Sequence, residues 1–244
     1  MSEPSISTSS TKPAEAVLAG QPVEEAPSDV SPNDEISDQL GDSIVTLYGI
    51  DWDLYVQLCD ANESRHVRMY YDDGALEMMS PSQLHERWAR LIAKLLDVVA
   101  EELDLNFQSC GSMTVRRKDR EKGFEPDNCY YLTHEPLLRE RRELDFEIDP
   151  APDLAIEVDL QDRFENKLPI YEAFQVPELW NYDGRALRVY HLAATGGYEQ
   201  LETSLYFPVL ALSEIERLLP GAVTVRETSL LREYRAWVRA NLIT

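Results

Sequence analysis

The pattern of apolar and polar residues predicts an alternation of strands and helices. The clearest helical pattern follows Ser80, and its apolar positions recur at steps of three and four residues: Leu84, Trp88, Leu91, Leu95 and Val98. Such spacing places one apolar stripe along a helix that faces a core. Ser80 is expected to cap this helix, with Pro81 at its first position and Gln83 completing a capping box. A long helix should therefore start at this point.

A nearly continuous apolar run predicts a buried strand at residues 153–159. The run reads Asp153-Leu154-Ala155-Ile156-Glu157-Val158-Asp159, with acidic residues at its ends and one inside. Strands of this composition lie at the centre of a sheet whose two faces are both covered. Because side chains alternate along a strand, Glu157 and Asp159 are expected to point to the same face.

The remaining patterns complete a globular domain. Asp72-Asp73-Gly74 contains residues that tolerate a tight turn, so a hairpin is expected from residues 66–71 and 75–79. The charged stretch 116–123 is expected to be a loop, and residues 133–150 a polar connection. Further strands are predicted at 128–132, 178–182, 186–192 and 198–203, and helices near 52–58, 164–175, 212–219 and 227–241.

Residues 1–42 differ in composition from the rest of the chain. They are rich in Ser, Pro, Ala and Glu and contain nine acidic residues against the single Lys12. Such a segment cannot bury enough apolar surface to offset the entropy lost on ordering. We therefore expect residues 1–42 to form a disordered acidic tail and residues 43–244 to form one domain.

The charge of the chain argues against a broad nucleic-acid-binding face. The chain has 23 Lys and Arg residues against 45 Asp and Glu residues, a formal net charge of −22. Of this, −14 remains on residues 43–244, so the acidity is not confined to the tail. A protein that grips phosphates unspecifically usually carries a basic patch instead. Tight unspecific binding of nucleic acid is therefore not expected.

Cysteine usage and hydropathy indicate a cytoplasmic protein. The three cysteines, Cys59, Cys110 and Cys129, show no CxxC spacing, which favours reduced thiols over a disulfide framework or a zinc site. No run reaches the roughly 18 apolar residues needed to cross a bilayer, and the N-terminus lacks the pattern of a signal peptide. We expect a soluble, unexported chain with no membrane partner.

Three carboxylates are candidates for chemistry: Asp127 after Pro126, Glu157 inside its apolar strand, and Asp159 two residues later. Burying Glu157 is costly unless it is paired, protonated or bound to a cation. A hard cation such as Mg²⁺ or Mn²⁺ would resolve that cost. The alternative is a structural ion pair with Lys167 or Arg163. For Asp127 alone, a solvated turn carboxylate is an equally good interpretation.

Several ordered motifs resemble the Uma2 family (DUF820) of the PD-(D/E)XK superfamily. They are Glu125-Pro126-Asp127, Pro152-Asp153-Leu154-Ala155-Ile156-Glu157-Val158, and Tyr171 followed by Val176-Pro177-Glu178-Leu179-Trp180, with Gly74, Ser80-Pro81, His85 and Phe207-Pro208 fitting the same pattern. The likeness covers about residues 45–240. The stretch Asn128-Cys129-Tyr130-Tyr131 together with Asp159 is similar to a variant common in cyanobacteria.

The resemblance implies an α/β (α+β) fold, a restriction-endonuclease-like core with a central mixed β-sheet flanked by helices. It also implies a DNA endonuclease in which Asp127 and Glu157 bind Mg²⁺ or Mn²⁺ and, by analogy, a homodimer. The family signature has a lysine where this chain has Asp159. Lys167, at the start of the next helix, is the substitute that the resemblance suggests. His85 and Asp159 are accessory candidates. The alternatives are that His85 is a polar residue on the flank of its helix and that Asp159 is a solvated charge at the end of its strand.

Two functional hypotheses follow. The first is a metal-dependent endonuclease that hydrolyses DNA phosphodiester bonds with Asp127, Glu157 and Lys167. The second is a catalytically inactive nuclease-like domain that acts as an interaction or regulatory module, which the missing signature lysine and the acidic charge favour. Walker, GxGxxG, GxSxG and HExxH motifs are absent from the sequence, so nucleotide-dependent, serine-hydrolase and zinc-protease activities have no support.

Overall fold

The computed structural model describes residues 41–62 and 67–243. The strands are β1 Ser43–Tyr48, β2 Arg68–Asp72, β3 Ala75–Ser80, β4 Gln108–Gly111, β5 Val115–Arg117, β6 Lys122–Phe124, β7 Asn128–Tyr131, β8 Leu154–Val158, β9 Glu178–Tyr182, β10 Leu187–Leu192 and β11 Tyr198–Leu201. The helices are α1 Trp52–Asn62, α2 Gln83–Glu102, α3 Glu135–Leu138, α4 Phe164–Ala173, α5 Leu212–Leu218, α6 Gly221–Thr224 and α7 Glu227–Asn241, with a 3-10 turn at Lys118–Arg120.

A six-stranded mixed sheet forms the centre of the domain, in the order β11-β10-β9-β8-β7-β4. Strands β8 and β9 are parallel and are joined through α4, whereas the other neighbours are antiparallel. Every residue of β8 is buried, as its apolar run predicts. The predicted mixed α/β fold with a central sheet is therefore confirmed.

The two faces of β8 pack against different partners. Leu154, Ile156 and Val158 join the core formed by α2 and the C-terminal helices, and the predicted apolar stripe of α2 is buried there. Ala155 faces the other way, toward residues of α4 and Val115 of β5. Since side chains alternate along a strand, Glu157 lies on this second face.

A smaller sheet, in the order β1-β3-β2-β6-β5, is antiparallel throughout. The predicted hairpin forms β2 and β3, and its turn places Asp73 and Gly74 at φ values of 42° and 89°. Both values lie in the left-handed region that such turns require. The sheet brings Tyr70 of β2 toward the buried face of β8.

Three local predictions were wrong. Helix α2 begins at Gln83 and its cap is Ser82, because Ser80 is still in β3 and pairs with Ser43. The charged stretch 116–123 is not one loop, since its two ends pair as β5 and β6 around the 3-10 turn. Cross-strand pairing compensates here for a composition that is poor in apolar residues. The predicted connection 133–150 contains the short helix α3.

The predicted tail, residues 1–42, lies outside the described residues apart from Gly41 and Asp42. Its disorder remains a prediction. Among residues 41–62 and 67–243, no helix has both the length and the hydropathy required to cross a membrane.

Candidate active site

Asp127, directly before β7, lies opposite Glu157 of β8 in the register of the two strands. Pairing of Asn128 with Ile156 in the β7–β8 ladder sets this register, and the Asp127 amide donates to the Ile156 carbonyl over 3.1 Å. The amide of Val158 in turn donates to Asp127 Oδ2 over 2.8 Å. The backbone thus holds one carboxylate of the predicted pair beside the strand that carries the other.

Glu157 is fully buried, and its carboxylate accepts hydrogen bonds from three polar side chains. Lys167 Nζ lies 2.7 Å from Oε2, and the Tyr70 hydroxyl lies 2.8 Å and 2.9 Å from the two carboxylate oxygens. The Tyr171 hydroxyl also donates to Oε1. A buried carboxylate needs such partners because it has lost the hydrogen bonds of water.

Lys167 is the counter-ion of Glu157, one of the two ion-pair alternatives that the sequence leaves open. Its ammonium also lies 3.9 Å from the centre of the Tyr70 ring, within the range of a cation–π contact. Burial alone would lower the pKa of Lys167, but the carboxylates of Glu157 and Asp127 outweigh it and raise that pKa. The proton therefore resides on the lysine. The other alternative, Arg163, instead pairs with Glu77 over 2.8 Å.

Asp127 is contacted by two further cationic side chains. His85 Nε2 lies 2.9 Å and Arg68 Nε 3.5 Å from Asp127 Oδ1. Burial alone would raise the pKa of Asp127, but the charges of His85, Lys167 and Arg68 outweigh it and lower that pKa. Asp127 is therefore an ionised carboxylate in a buried setting, unlike the solvated turn residue of the alternative interpretation.

His85 bridges two carboxylates. Its Nδ1 lies 2.8 Å from Asp42 Oδ2, on the opposite side of the ring from Asp127, and all three side chains are almost completely buried. Asp42 also accepts the Ser82 amide over 2.7 Å at the start of α2. Asp42 is thus packed against the domain, although the composition of residues 1–42 had assigned it to the predicted tail.

Asp159 is occupied at the start of α4. Its Oδ2 accepts the amides of Arg163 and Phe164, each over 2.5 Å, and its Oδ1 accepts the Gln161 amide over 3.2 Å. These are the amides that a helix start leaves without intrahelical partners. The role of a third metal ligand would require Asp159 to give up these bonds.

We expect Asp159→Ala to lower the free energy of unfolding by about 1–2 kcal/mol, the usual cost of losing a side chain that satisfies the first amides of a helix. Urea unfolding of the metal-free protein would measure this loss. Asp159→Asn retains one acceptor oxygen and should lose less. A change in metal affinity with no change in stability would instead identify Asp159 as a ligand.

Four residues of this cluster gave no signal in the sequence: Asp42, Arg68, Tyr70 and Tyr171. Only Tyr171 stands in one of the family motifs, where it was quoted as a landmark without a role. Tyr70 reaches Glu157 across 87 positions of sequence, Arg68 of the same strand reaches Asp127, and Asp42 reaches His85 from just before β1. No local pattern predicts contacts of this range.

The residues present fit a hard divalent cation with few protein ligands. The carboxylates of Asp127 and Glu157 are donors that such a cation prefers, and Asp127 Oδ1 is held by ionic contacts with His85 at 2.9 Å and Arg68 at 3.5 Å. In that part of the chain, no three His, Cys, Asp or Glu side chains are grouped so as to hold a metal. Water or substrate would supply the remaining ligands, as is usual for Mg²⁺.

One family model matches most of the chain. Residues 52–226 match the model of the family Uma2, described as "Putative restriction endonuclease". A crystal structure described as a "putative nuclease belonging to DUF820 from Anabaena variabilis ATCC 29413" is 14% identical, covers 62% of this chain and 90% of its own, and superposes with a TM-score of 0.45. The comparison with curated proteins gave no match. Since the family model spans well over half of the sequence, the chain belongs to the Uma2 family.

Proposed function

We propose that this protein is a divalent-metal-dependent endonuclease that hydrolyses DNA phosphodiester bonds. The observation that carries the proposal is that Asp127, bound to the Val158 amide of β8, lies beside the strand that carries Glu157, whose carboxylate contacts the Lys167 ammonium. Two carboxylates and one cation suit phosphodiester hydrolysis, in which charge develops on the phosphate oxygens. Membership of a family described as "Putative restriction endonuclease" supports the same conclusion.

Asp127 and Glu157 would hold the metal. When bound, a divalent cation polarises a phosphoryl oxygen and lowers the pKa of a coordinated water. The chain prepares Asp127 for this role in two ways. The Val158 amide fixes Oδ2, and the charges of His85 and Arg68 keep the carboxylate ionised at Oδ1.

Lys167 would supply the positive charge that the signature lysine provides in the superfamily pattern. Asp159 stands at that signature position, but it is bound to the start of α4. Helix α4 brings Lys167 back to Glu157 from ten residues later, and the Tyr70 ring holds its ammonium in place. A fixed ammonium can stabilise the charge that develops on a phosphate during attack by water.

A second candidate, an inactive nuclease-like interaction module, is favoured by one observation. Both carboxylate side chains are wholly buried, and Glu157 already has Lys167 as its counter-ion. A buried pair that is neutralised within the protein needs no metal for stability, so such a cluster could serve the fold alone.

Cleavage assays with plasmid and single-stranded DNA in Mg²⁺ or Mn²⁺ would separate the two candidates. Cleavage by the wild-type protein should fall to background in Asp127→Asn and Glu157→Gln, because each substitution removes one anionic ligand. Glu199→Gln, an exposed change on β11, should cleave normally and serves as the matched control.

A second readout follows metal binding without turnover. Mn²⁺ should raise the melting temperature of the wild-type protein, since a ligand that binds only the folded state stabilises it. The increase should be lost in Asp127→Asn. Absence of both cleavage and metal-dependent stabilisation in the wild-type protein would favour the inactive module. Equal cleavage by all variants would contradict the assignment of this site.

A further inference from the structure

A solvent-connected cavity of about 560 Å³ opens beside Asp127. One wall is the face of α2 that carries Arg90 and Lys94, and the opposite wall runs from Ser109 to Thr114 at the ends of β4 and β5. Asp127 and Arg68 lie at its inner end. The cavity therefore connects the candidate active site with the surface.

Arg68 is a buried cation that faces this space. The residue is only 8% exposed, and its Nε, 3.5 Å from Asp127 Oδ1, makes no hydrogen bond among the described residues. Its Nη2 is bound to Glu86 over 3.0 Å. A nearly buried guanidinium thus lies between Glu86 and Asp127 beside the cavity, where a phosphate oxygen that entered could also bind it.

Two more cations line the cavity, and both lie on α2. Arg90 and Lys94 are one helical turn apart, so they lie on the same face of the helix. Between them and the opposite wall, Ala89 and Ala93 are small and leave the space open. Arg90 is largely exposed, and its contact with Glu86 is long, at 3.8 Å. Lys94 is paired with Glu227 of α7, and both side chains are exposed, so a phosphate would compete with this surface ion pair.

The acidic groups of the cavity oppose these cations only in part. Among the described residues, four acidic side chains line the cavity: Glu86, Asp97, Glu125 and Asp127. Glu86 is paired with Arg68, Glu125 accepts the Met69 amide over 3.0 Å and the Thr114 hydroxyl over 2.5 Å, and Asp97 accepts the Tyr130 hydroxyl over 3.3 Å. The cations of the cavity therefore face acidic groups that already have partners within the protein.

We propose that this cavity receives the sugar–phosphate backbone of a single nucleic-acid strand. Arg68 would contact the phosphate next to Asp127, and Arg90 and Lys94 would contact the phosphates that follow. The proposal deepens the nuclease function and rests on it. A space of 560 Å³ is the size of a small-molecule pocket. A duplex is too large to enter it, since the major groove alone is about 12 Å wide.

The lining also indicates what the cavity would read. The described residues around it include serine, threonine and asparagine but no aromatic side chain. Single-strand-binding grooves that hold bases use aromatic rings as stacking platforms. Hydroxyl, amide and cationic groups suit phosphates, so binding should depend weakly on base sequence.

Fluorescence anisotropy with a labelled single-stranded oligonucleotide and the matching duplex, in Ca²⁺ to prevent turnover, tests this proposal. The wild-type protein should bind the single strand about tenfold more tightly than the duplex. Arg90→Gln and Lys94→Gln should each weaken binding severalfold and reduce the slope of log K against log salt by about 0.7, the value for one lost phosphate contact on a single strand.

Arg87→Gln is the matched control, because Arg87 is exposed on the same helix but lies outside the cavity. Tighter binding of the duplex, equal effects of Arg87→Gln and Arg90→Gln, or no binding of either DNA would overturn the proposal. Cleavage in Mn²⁺ is measured separately. If Arg90→Gln cleaves DNA and binds the single strand as tightly as the wild-type protein, the proposed role of the cavity is refuted and the nuclease function is not. If the wild-type protein binds the single strand but does not cleave DNA, the nuclease function is refuted and strand binding by the cavity is not.

Discussion

Replacing Lys167 by methionine should destabilise the protein by about 3–5 kcal/mol, the usual cost of removing one partner from a buried ion pair. Glu157 would remain at the centre of the sheet, with its side chain wholly inaccessible to water and only the Tyr70 and Tyr171 hydroxyls as partners. Two neutral donors cannot compensate a buried negative charge. Methionine keeps most of the length of lysine, so the loss reports the charge rather than a cavity.

Urea unfolding at neutral pH of Lys167→Met, Glu157→Gln and the double variant would measure the coupling between the two residues. The double variant should regain much of the stability that Lys167→Met loses, because no unpaired charge remains. Arg188→Met provides the control, since its pair with Asp183 is partly exposed and such pairs contribute about 1 kcal/mol or less. Additive losses in the double variant would contradict the ion pair.

The pH provides an additional check on Lys167→Met. Burial raises the pKa of Glu157, and in the wild-type protein the Lys167 charge opposes that shift. Without the lysine, the folded protein should take up a proton on Glu157 more readily than the unfolded chain does. The loss of stability should therefore shrink as the pH falls toward the ordinary glutamate pKa of about 4.3.

Stability of the metal-free protein should fall by several kcal/mol between about pH 6.5 and pH 10, through the titration of His85. Burial alone would lower the pKa of His85, but Asp127 and Asp42 outweigh it and raise the pKa to about 10. The unfolded chain releases this proton near pH 6.5 and the folded protein only near pH 10. The stabilisation is therefore complete below the first value and lost as the pH approaches the second.

His85→Gln isolates this contribution, because the amide does not titrate in that range. The wild-type protein should lose stability faster with rising pH than the variant, by at most about 1.4 kcal/mol per pH unit, the value for one proton. Measurements in EDTA keep bound metal from altering Asp127. Parallel pH profiles for the two proteins would mean that His85 is neutral between its two carboxylates.

Local sequence patterns determined much of this protein. The apolar run with one internal glutamate predicted β8 and the unusual position of Glu157, and the three-and-four spacing predicted α2. Both predictions hold in the folded protein because each depends on the side-chain pattern of a single strand or helix. The pairing of Asp127 with Glu157 and the approach of His85 came from resemblance to a family, whereas Lys167 was one of two ion-pair partners of Glu157 that the residues themselves allowed.

Only the tertiary structure decided how the charges of the site are balanced. Arg68 and Tyr70 of β2 and Tyr171 of α4 converge on the two carboxylates, and Asp42, just before β1, contacts His85. Which side chain neutralises a buried carboxylate depends on the packing of sheets and helices far apart in sequence, and no local period encodes that packing. The sequence by itself therefore determined that Glu157 needs a partner, and the fold decided that this partner is Lys167.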